Sequence, residues 1–276
     1  MSSTSSSIAW RARFGWSRAS YLLLSLFFAT IFLIGIVWWP LLKDYLRAFD
    51  PRIAWWRQVD WLLLGVFAAM TLLIMARADL KRDVRTVAVG LMGGLVIESW
   101  GTQTGLWTYY TLERPPLWII PAWPIATLAI DRMTVFLTPT VERLGGRTTW
   151  VAYAATFGLF GVLMADFVRP TVGLSLTVTA VFLCGFVIAT PVQPRTALAT
   201  FAAGAALGYF LELWGTTRGC WIYYTGETPP PFAVLAHGMA AVAFWRTGDA
   251  LTRLGGKFAR RGTIVRREVR GVEPGP

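Results

Sequence analysis

The chain has 276 residues, 55% hydrophobic and 15% charged, with a formal net charge of +11. Soluble domains carry roughly 25% charged residues, and no soluble core could enclose the long uncharged runs found here, so a soluble globular enzyme is excluded. The basic residues flank apolar runs, which fits the cytoplasmic side of a membrane protein better than a nucleic-acid surface, and no nucleic-acid partner is expected.

In chain order, residues 1–19 read as a cytoplasmic tail, Ser-rich and then basic. The uncharged run Tyr21–Trp39 follows. This order resembles the start of a signal peptide. However, the run is too long for one and ends in Trp38-Trp39-Pro40 where a small-residue cleavage site would stand, so a retained first helix is expected. Tyr21–Trp39, Thr148–Ala165 and Thr171–Pro194 each have about the length that crosses a bilayer as a helix. Eight spans are predicted, near residues 20–40, 59–76, 85–101, 117–134, 148–167, 171–191, 197–214 and 231–248. The predicted fold class is therefore all-α: a polytopic membrane helical bundle with about eight transmembrane helices arranged as two parallel four-helix repeats. The first repeat is expected over 20–136, the second over 148–250, and a basic cytoplasmic tail suited to anionic lipid headgroups over 251–276.

Of the 26 Lys and Arg residues, 19 fall on one side of these spans if the N-terminus is inside. The expected location is thus a bacterial-type inner membrane with both termini cytoplasmic. The first outer loop, Leu41–Asp60, carries four basic residues together with Trp55 and Trp56, and is predicted to hold an amphipathic helix at the interface. Cys184 falls in a span and Cys220 in a loop, and no structural disulfide is expected.

One stretch occurs twice. ESWGTQTGLWTYYTLERPP (98–116) and ELWGTTRGCWIYYTGETPP (212–230) are identical at twelve of nineteen positions at an offset of 114. Chance would give about one identity, so the unit is read as duplicated. An even number of spans per unit returns both copies to the same side, here the outer one, so that two half-sites form one face. Upstream, Gly90-x-x-x-Gly94 aligns with Gly204-x-x-x-Gly208, and Glu98 and Glu212 lie one further step of four along. Small residues at this spacing permit close helix contact, and if the two faces pack against each other near the pseudo-axis, both carboxyls lie inside the bundle. Intramembrane carboxyls are costly and mark function.

Gly101 and Gly215 suit left-handed helix ends, and Thr102 and Thr216 are placed to bond freed backbone groups or the carboxylate. Trp100, Trp107, Tyr109 and Tyr110, with Trp214, Trp221, Tyr223 and Tyr224, form either an interfacial aromatic belt or the lining of a ligand site. His237, the single histidine, aligns with Trp123 and is either a proton-transfer partner of the glutamates or a packing residue. Asp166 is a further carboxyl candidate, with an ion pair to Arg169 as its simpler role. The catalytic candidates are thus Glu98, Glu212, His237 and Asp166. Glu98, Glu212 and His237 have metal-ligand chemistry but no metal-ligand spacing, so neither metal nor cofactor is expected.

Glu98-x-x-Gly101-Thr102-x-Thr104-Gly105, then Trp107, Tyr109, Tyr110, Pro115 and Trp123, resembles the bacterial carotenoid-biosynthesis membrane-protein family that includes carotenoid hydratases, and more loosely the small membrane lycopene cyclases. The resemblance implies a membrane lipid or isoprenoid ligand and acid-catalysed hydration or cyclisation of a polyene. Glu98 would be the proton donor, Glu212 its counterpart, and the aromatic residues would face the polyene. The runner-up reading of the residues is a non-enzymatic transporter or a lipid- or partner-binding scaffold.

Overall fold

The computed structural model describes residues 16–270; the expected N-terminal tail and the end of the basic C-terminal tail fall largely outside them. The described residues form nine α-helices and one short two-stranded ribbon. Helix α1 spans Arg18–Val37, α2 Trp39–Arg47, α3 Trp61–Met75 and α4 Leu80–Thr104, followed by β1, Trp107–Tyr109. Then come α5, Ala122–Glu142; α6, Gly146–Phe167; α7, Ser175–Ala189; α8, Pro194–Thr217; β2, Trp221–Tyr223; and α9, Pro231–Arg270.

Helices α1, α6 and α8 are long and apolar enough to cross a membrane. The outer surface agrees with a membrane protein. Phe28, Phe32 and Ile36 on α1, Leu159 and Val162 on α6, and Phe182 and Phe186 on α7 all point outward and exposed. Hydrocarbon accommodates such a surface, whereas in water it would drive association. Helix α2 lies in the predicted amphipathic loop and buries none of its residues.

Several boundaries differ from the sequence reading for identifiable reasons. The third predicted span, 85–101, is part of a longer helix of 25 residues, since Asp79 caps the N-terminus through Lys81 N and the chain leaves the helix only at Gly105, φ 74°. Helices α3 and α7 are each 15 residues, shorter than the predicted 59–76 and 171–191. At about 1.5 Å per residue they fall short of a ~30 Å hydrocarbon core. Helix α3 ends where Ala76 turns extended and Arg77 takes φ 51°, and α7 ends at Thr190, directly before Pro191.

At the centre, α4 packs on α5 and α8 on α9, while α8 also packs on α5 and α4 on α9. The glycine faces make the within-pair contacts. A Cβ on Gly90 would lie 2.7 Å from Thr127 Oγ1, and one on Gly204 would lie 2.7 Å from the His237 carbonyl. Each glycine face therefore meets the next helix of its own half, and the two faces do not pack against each other. Lipid tails are as apolar as leucine, so close packing and internal hydrogen bonds must hold these helices together.

At the end of the bundle away from the ribbon, Arg132 on α5 donates from Nε to the Ala76 carbonyl at 2.8 Å. Arg246, 114 residues on, donates to the Val187 carbonyl at 2.6 Å and to Thr190 Oγ1 at 3.0 Å. Both guanidinium groups thus answer carbonyls that a helix C-terminus leaves free. Arg132 also pairs with buried Asp83 and with Asp131, each at 2.6 Å, whereas position 197, which aligns with Asp83, is alanine.

Candidate functional site

The duplicated stretches meet through their own backbones. Strands β1 and β2 pair antiparallel, with Trp107 opposite Tyr223, Thr108 opposite Ile222 and Tyr109 opposite Trp221. The middle pair joins positions 114 apart, so the ladder reads the same from either strand. Tyr110 N donates to the Cys220 carbonyl at 3.2 Å, and Tyr224 N to the Leu106 carbonyl at 3.1 Å. Because each strand directly follows α4 or α8, the ribbon brings the C-terminal ends of those helices together.

Behind the ribbon each glutamate is enclosed. Glu98, 3% exposed, accepts from Trp107 Nε1 at 3.1 Å, Tyr109 OH at 2.9 Å and Trp123 Nε1 at 3.1 Å. Glu212, 4% exposed, accepts from Trp221 Nε1 and Tyr223 OH, both at 2.9 Å, and Nε2 of His237 lies 2.9 Å from its Oε1. A buried carboxylate is tolerable only with such partners, and buried indole and phenol donors equally need an acceptor.

The local sequence makes room for these rings. A Cβ on Gly101 would sit 1.8 Å from the Trp107 indole, and one on Gly215 would sit 1.9 Å from Trp221. Both glycines are inside helices, and the left-handed helix ends fall at Gly105 and Gly219, φ 74° and 67°. The expected left-handed role of Gly101 and Gly215 is thereby corrected: these positions lack a side chain because an indole lies on the backbone. Gly94 and Gly208 do the same for Trp123 and His237, where a Cβ would come within 2.3 and 2.4 Å of the ring residue. Thr102 and Thr216 donate to the backbone carbonyls of Glu98 and Glu212, at 2.5 and 2.6 Å, and leave the carboxylates to the rings.

The two enclosures interlock. Tyr109, bonded to Glu98, packs on Trp221, bonded to Glu212, with centroids 5.7 Å apart; Trp107 packs on Tyr223 at 5.8 Å. Trp123 and His237 stack, centroids 5.7 Å apart and planes 15° from parallel.

The outer members of the motif anchor it to flanking helices. Tyr110 OH donates to the Val37 carbonyl at the end of α1, and Tyr224 OH to the Phe167 carbonyl at the end of α6, the latter at 2.8 Å. Trp100 reaches Thr177 on α7 at 3.2 Å, while Trp214 reaches Asp60, the N-cap of α3, at 2.9 Å. Asp60 also pairs with Arg218 at 3.0 Å. Burial alone would raise the Asp60 carboxyl. The Leu63 backbone N–H, the Arg218 guanidinium and the Trp214 indole outweigh it and hold the group below the usual carboxylate range.

Eleven of the expected site residues therefore belong to one bonded aromatic network: Glu98, Trp100, Trp107, Tyr109, Tyr110, Glu212, Trp214, Trp221, Tyr223, Tyr224 and His237, with Trp123 and Asp60 added by the structure. The aromatic side chains are neither a simple belt nor a bare ligand lining, since each bonds the protein through its own N–H or O–H. Asp166 does not join them. It is exposed and pairs with Arg169 at 2.9 Å, the simpler of its two roles. Trp123 was not among the named site candidates, although it closes the string that carries the resemblance and aligns with His237; nothing local marks Asp60. Beside the first copy, an apolar groove of about 260 Å³ is lined by Leu91, Met92, Leu95, Leu117, Ile120 and Pro121; Leu95 and Ile120 stand three residues along the chain from Glu98 and Trp123. Cys184 and Cys220 are both free thiols. Compared with protein-family models, with curated proteins and with solved structures, the chain matches none of them.

Proposed function

We propose that this is an eight-span membrane protein of two parallel four-helix repeats, with α2 at the interface. In this reading Glu212 and His237 form a proton-transfer centre for an apolar ligand of the lipid or isoprenoid class. The paired ribbon strands support placing both motif copies at one face, and the excess of basic residues at the opposite helix ends supports calling that face the outer one.

The observation that carries the chemistry is the 2.9 Å contact between His237 Nε2 and Glu212 Oε1, with the imidazole 17% exposed. An imidazole can either donate or accept there, so a proton can be passed between carboxyl and ring and onward through the more accessible partner. The first copy lacks this property. Both oxygens of Glu98 face an indole N–H, which only donates, so Glu98 is suited to stay an acceptor. The resemblance to the carotenoid-biosynthesis family adds a reaction class, protonation of a polyene double bond followed by hydration or ring closure. The different bonding of the two copies moves the acid from Glu98, where the resemblance would place it, to the Glu212–His237 pair. The apolar groove along α4 suits the chain of such a ligand.

A second reading treats both enclosures as locks of a non-enzymatic transporter or lipid- or partner-binding scaffold. It is favoured by the fact that every hydrogen bond to Glu98 comes from within its own copy. One experiment separates the two. The protein is purified from a carotenoid-producing bacterial host, and its bound lipids and the host's isoprenoid profile are measured by mass spectrometry, alongside His237→Trp. This variant gives the second copy the ring of the first. The catalytic reading expects a co-purifying isoprenoid, and a folded His237→Trp protein that still binds it without converting it. An extract holding only bulk phospholipid, or an unchanged product profile in the variant, would sink that reading.

A further inference from the structure

We infer that Glu98 is a positioning residue for His237 and acts through Trp123. This rests on the reading of Glu212 and His237 as the proton-transfer pair. Trp123 donates its Nε1–H to Glu98 Oε1 at 3.1 Å and lays its ring on the imidazole, with centroids 5.7 Å apart. Helix α8 also closes on the imidazole, where a Cβ on Gly208 would come within 2.6 Å of His237 Cγ. The ring thus touches both a helix backbone and an indole. The indole is itself held, by Glu98 at its N–H and by Gly94 behind it, where a Cβ would meet Trp123 Cγ at 2.3 Å.

Orientation matters at this position. A half-turn of the imidazole about its Cβ–Cγ bond would replace the ring atoms facing Glu212 and remove Nε2 from Oε1. The titratable groups around the imidazole are Glu212 in direct contact, Tyr223 on the same carboxylate oxygen, and Glu98 with Tyr109 beyond Trp123. An indole whose N–H is bound by a carboxylate presents an electron-rich face. The imidazole lies within the roughly 6 Å reach of a cation–π contact, so the same stack accepts the ring in its charged form. The two copies therefore have different roles: the first supplies the rigid wall and the second the mobile proton.

The chain has a single histidine, so ¹⁵N-histidine labelling in lipid nanodiscs, with a tag free of histidine, yields one imidazole to follow. The wild type is expected to show one narrow pair of ring-nitrogen signals with Nε2 hydrogen-bonded. Trp123→Phe keeps an aromatic face but has no N–H for Glu98. It should split or broaden these signals, and reduce conversion about ten- to a hundredfold while bound ligand is retained. Glu98→Met, similar in length but with no oxygen to hold the indole N–H, should change the imidazole signals in the same direction, and it decides the matter if Trp123→Phe does not fold. Wild-type shifts and line widths in the folded variant would overturn the inference. If the imidazole is disordered in Trp123→Phe but Glu212→Gln leaves the isoprenoid profile of the host unaltered, the positioning role stands and the proton-transfer reading falls.

Discussion

Trp123 and His237 stand 114 residues apart, occupy the same place after a glycine-faced helix, and stack on each other with planes 15° from parallel. Each bonds the glutamate of its own copy, so the chain Glu98–Trp123–His237–Glu212 crosses from one half of the molecule to the other. The aligned pair is the place where two otherwise matched enclosures differ in chemistry: one ring only donates, whereas the other can either donate or accept.

That difference predicts unequal costs for the same substitution. In Glu98→Gln the amide NH2 faces an indole N–H whichever way it is turned, because Trp107 and Trp123 bond opposite oxygens. One buried donor is left unanswered, costing on the order of 2–3 kcal/mol. In Glu212→Gln the NH2 can replace Oε1, where Tyr223 oxygen and the other imidazole tautomer both accept, and Trp221 keeps the carbonyl. The expected loss there is below about 1 kcal/mol. Thermal unfolding of the two variants in nanodiscs checks this; equal losses would refute the donor-only reading of the first copy.

Gly101→Ala and Gly215→Ala should each be strongly destabilising, since the added methyl would lie 1.8 or 1.9 Å from an indole atom. Lifting Trp107 or Trp221 also breaks its bond to the glutamate, so a cost of about 3 kcal/mol is expected. Gly105→Ala serves as the contrast. Open space surrounds it, and only its φ of 74° resists a side chain, for about 1 kcal/mol. Tryptophan fluorescence should shift in the first two variants and hold in the third.

Asp60 gives the second copy an acid-sensitive strut. Its carboxyl is held low in the folded protein, so the associated stability is present above the unfolded-state value and is lost as pH falls through the folded one. Asp60→Asn keeps a residue suited to cap α3 while removing the ion pair with the half-exposed Arg218. At neutral pH the wild type should exceed this variant by about 0.5–1 kcal/mol. The gap should close below about pH 4. Unfolding midpoints measured from pH 7 to pH 3 provide the check, and a gap that does not narrow with acid would contradict it.

Much of the site's composition was legible in the chain itself. Uncharged runs identified a membrane protein, and twelve identities at one offset identified Glu98, Glu212 and the aromatic residues that follow them. These features are local, because apolar length and a repeated string need no knowledge of the backbone path. Periodicity also placed each glutamate on the face of its glycines, although it did not say which helix that face would meet. The answer, α5 for one and α9 for the other, depended on ring size: Trp123 and His237 fit only where Gly94 and Gly208 leave space.

Tertiary structure alone decided which donors reach which oxygen. Trp107 and Tyr109 return to Glu98 because a left-handed Gly105 reverses the chain, and they stay there because β1 pairs with a strand more than a hundred residues away. Asp60 meets Trp214 across 154 positions of sequence. Hydrogen bonds are short and directional, so a sequence pattern can nominate the groups that need partners, but only the folded backbone brings an acceptor within 3 Å of a given donor.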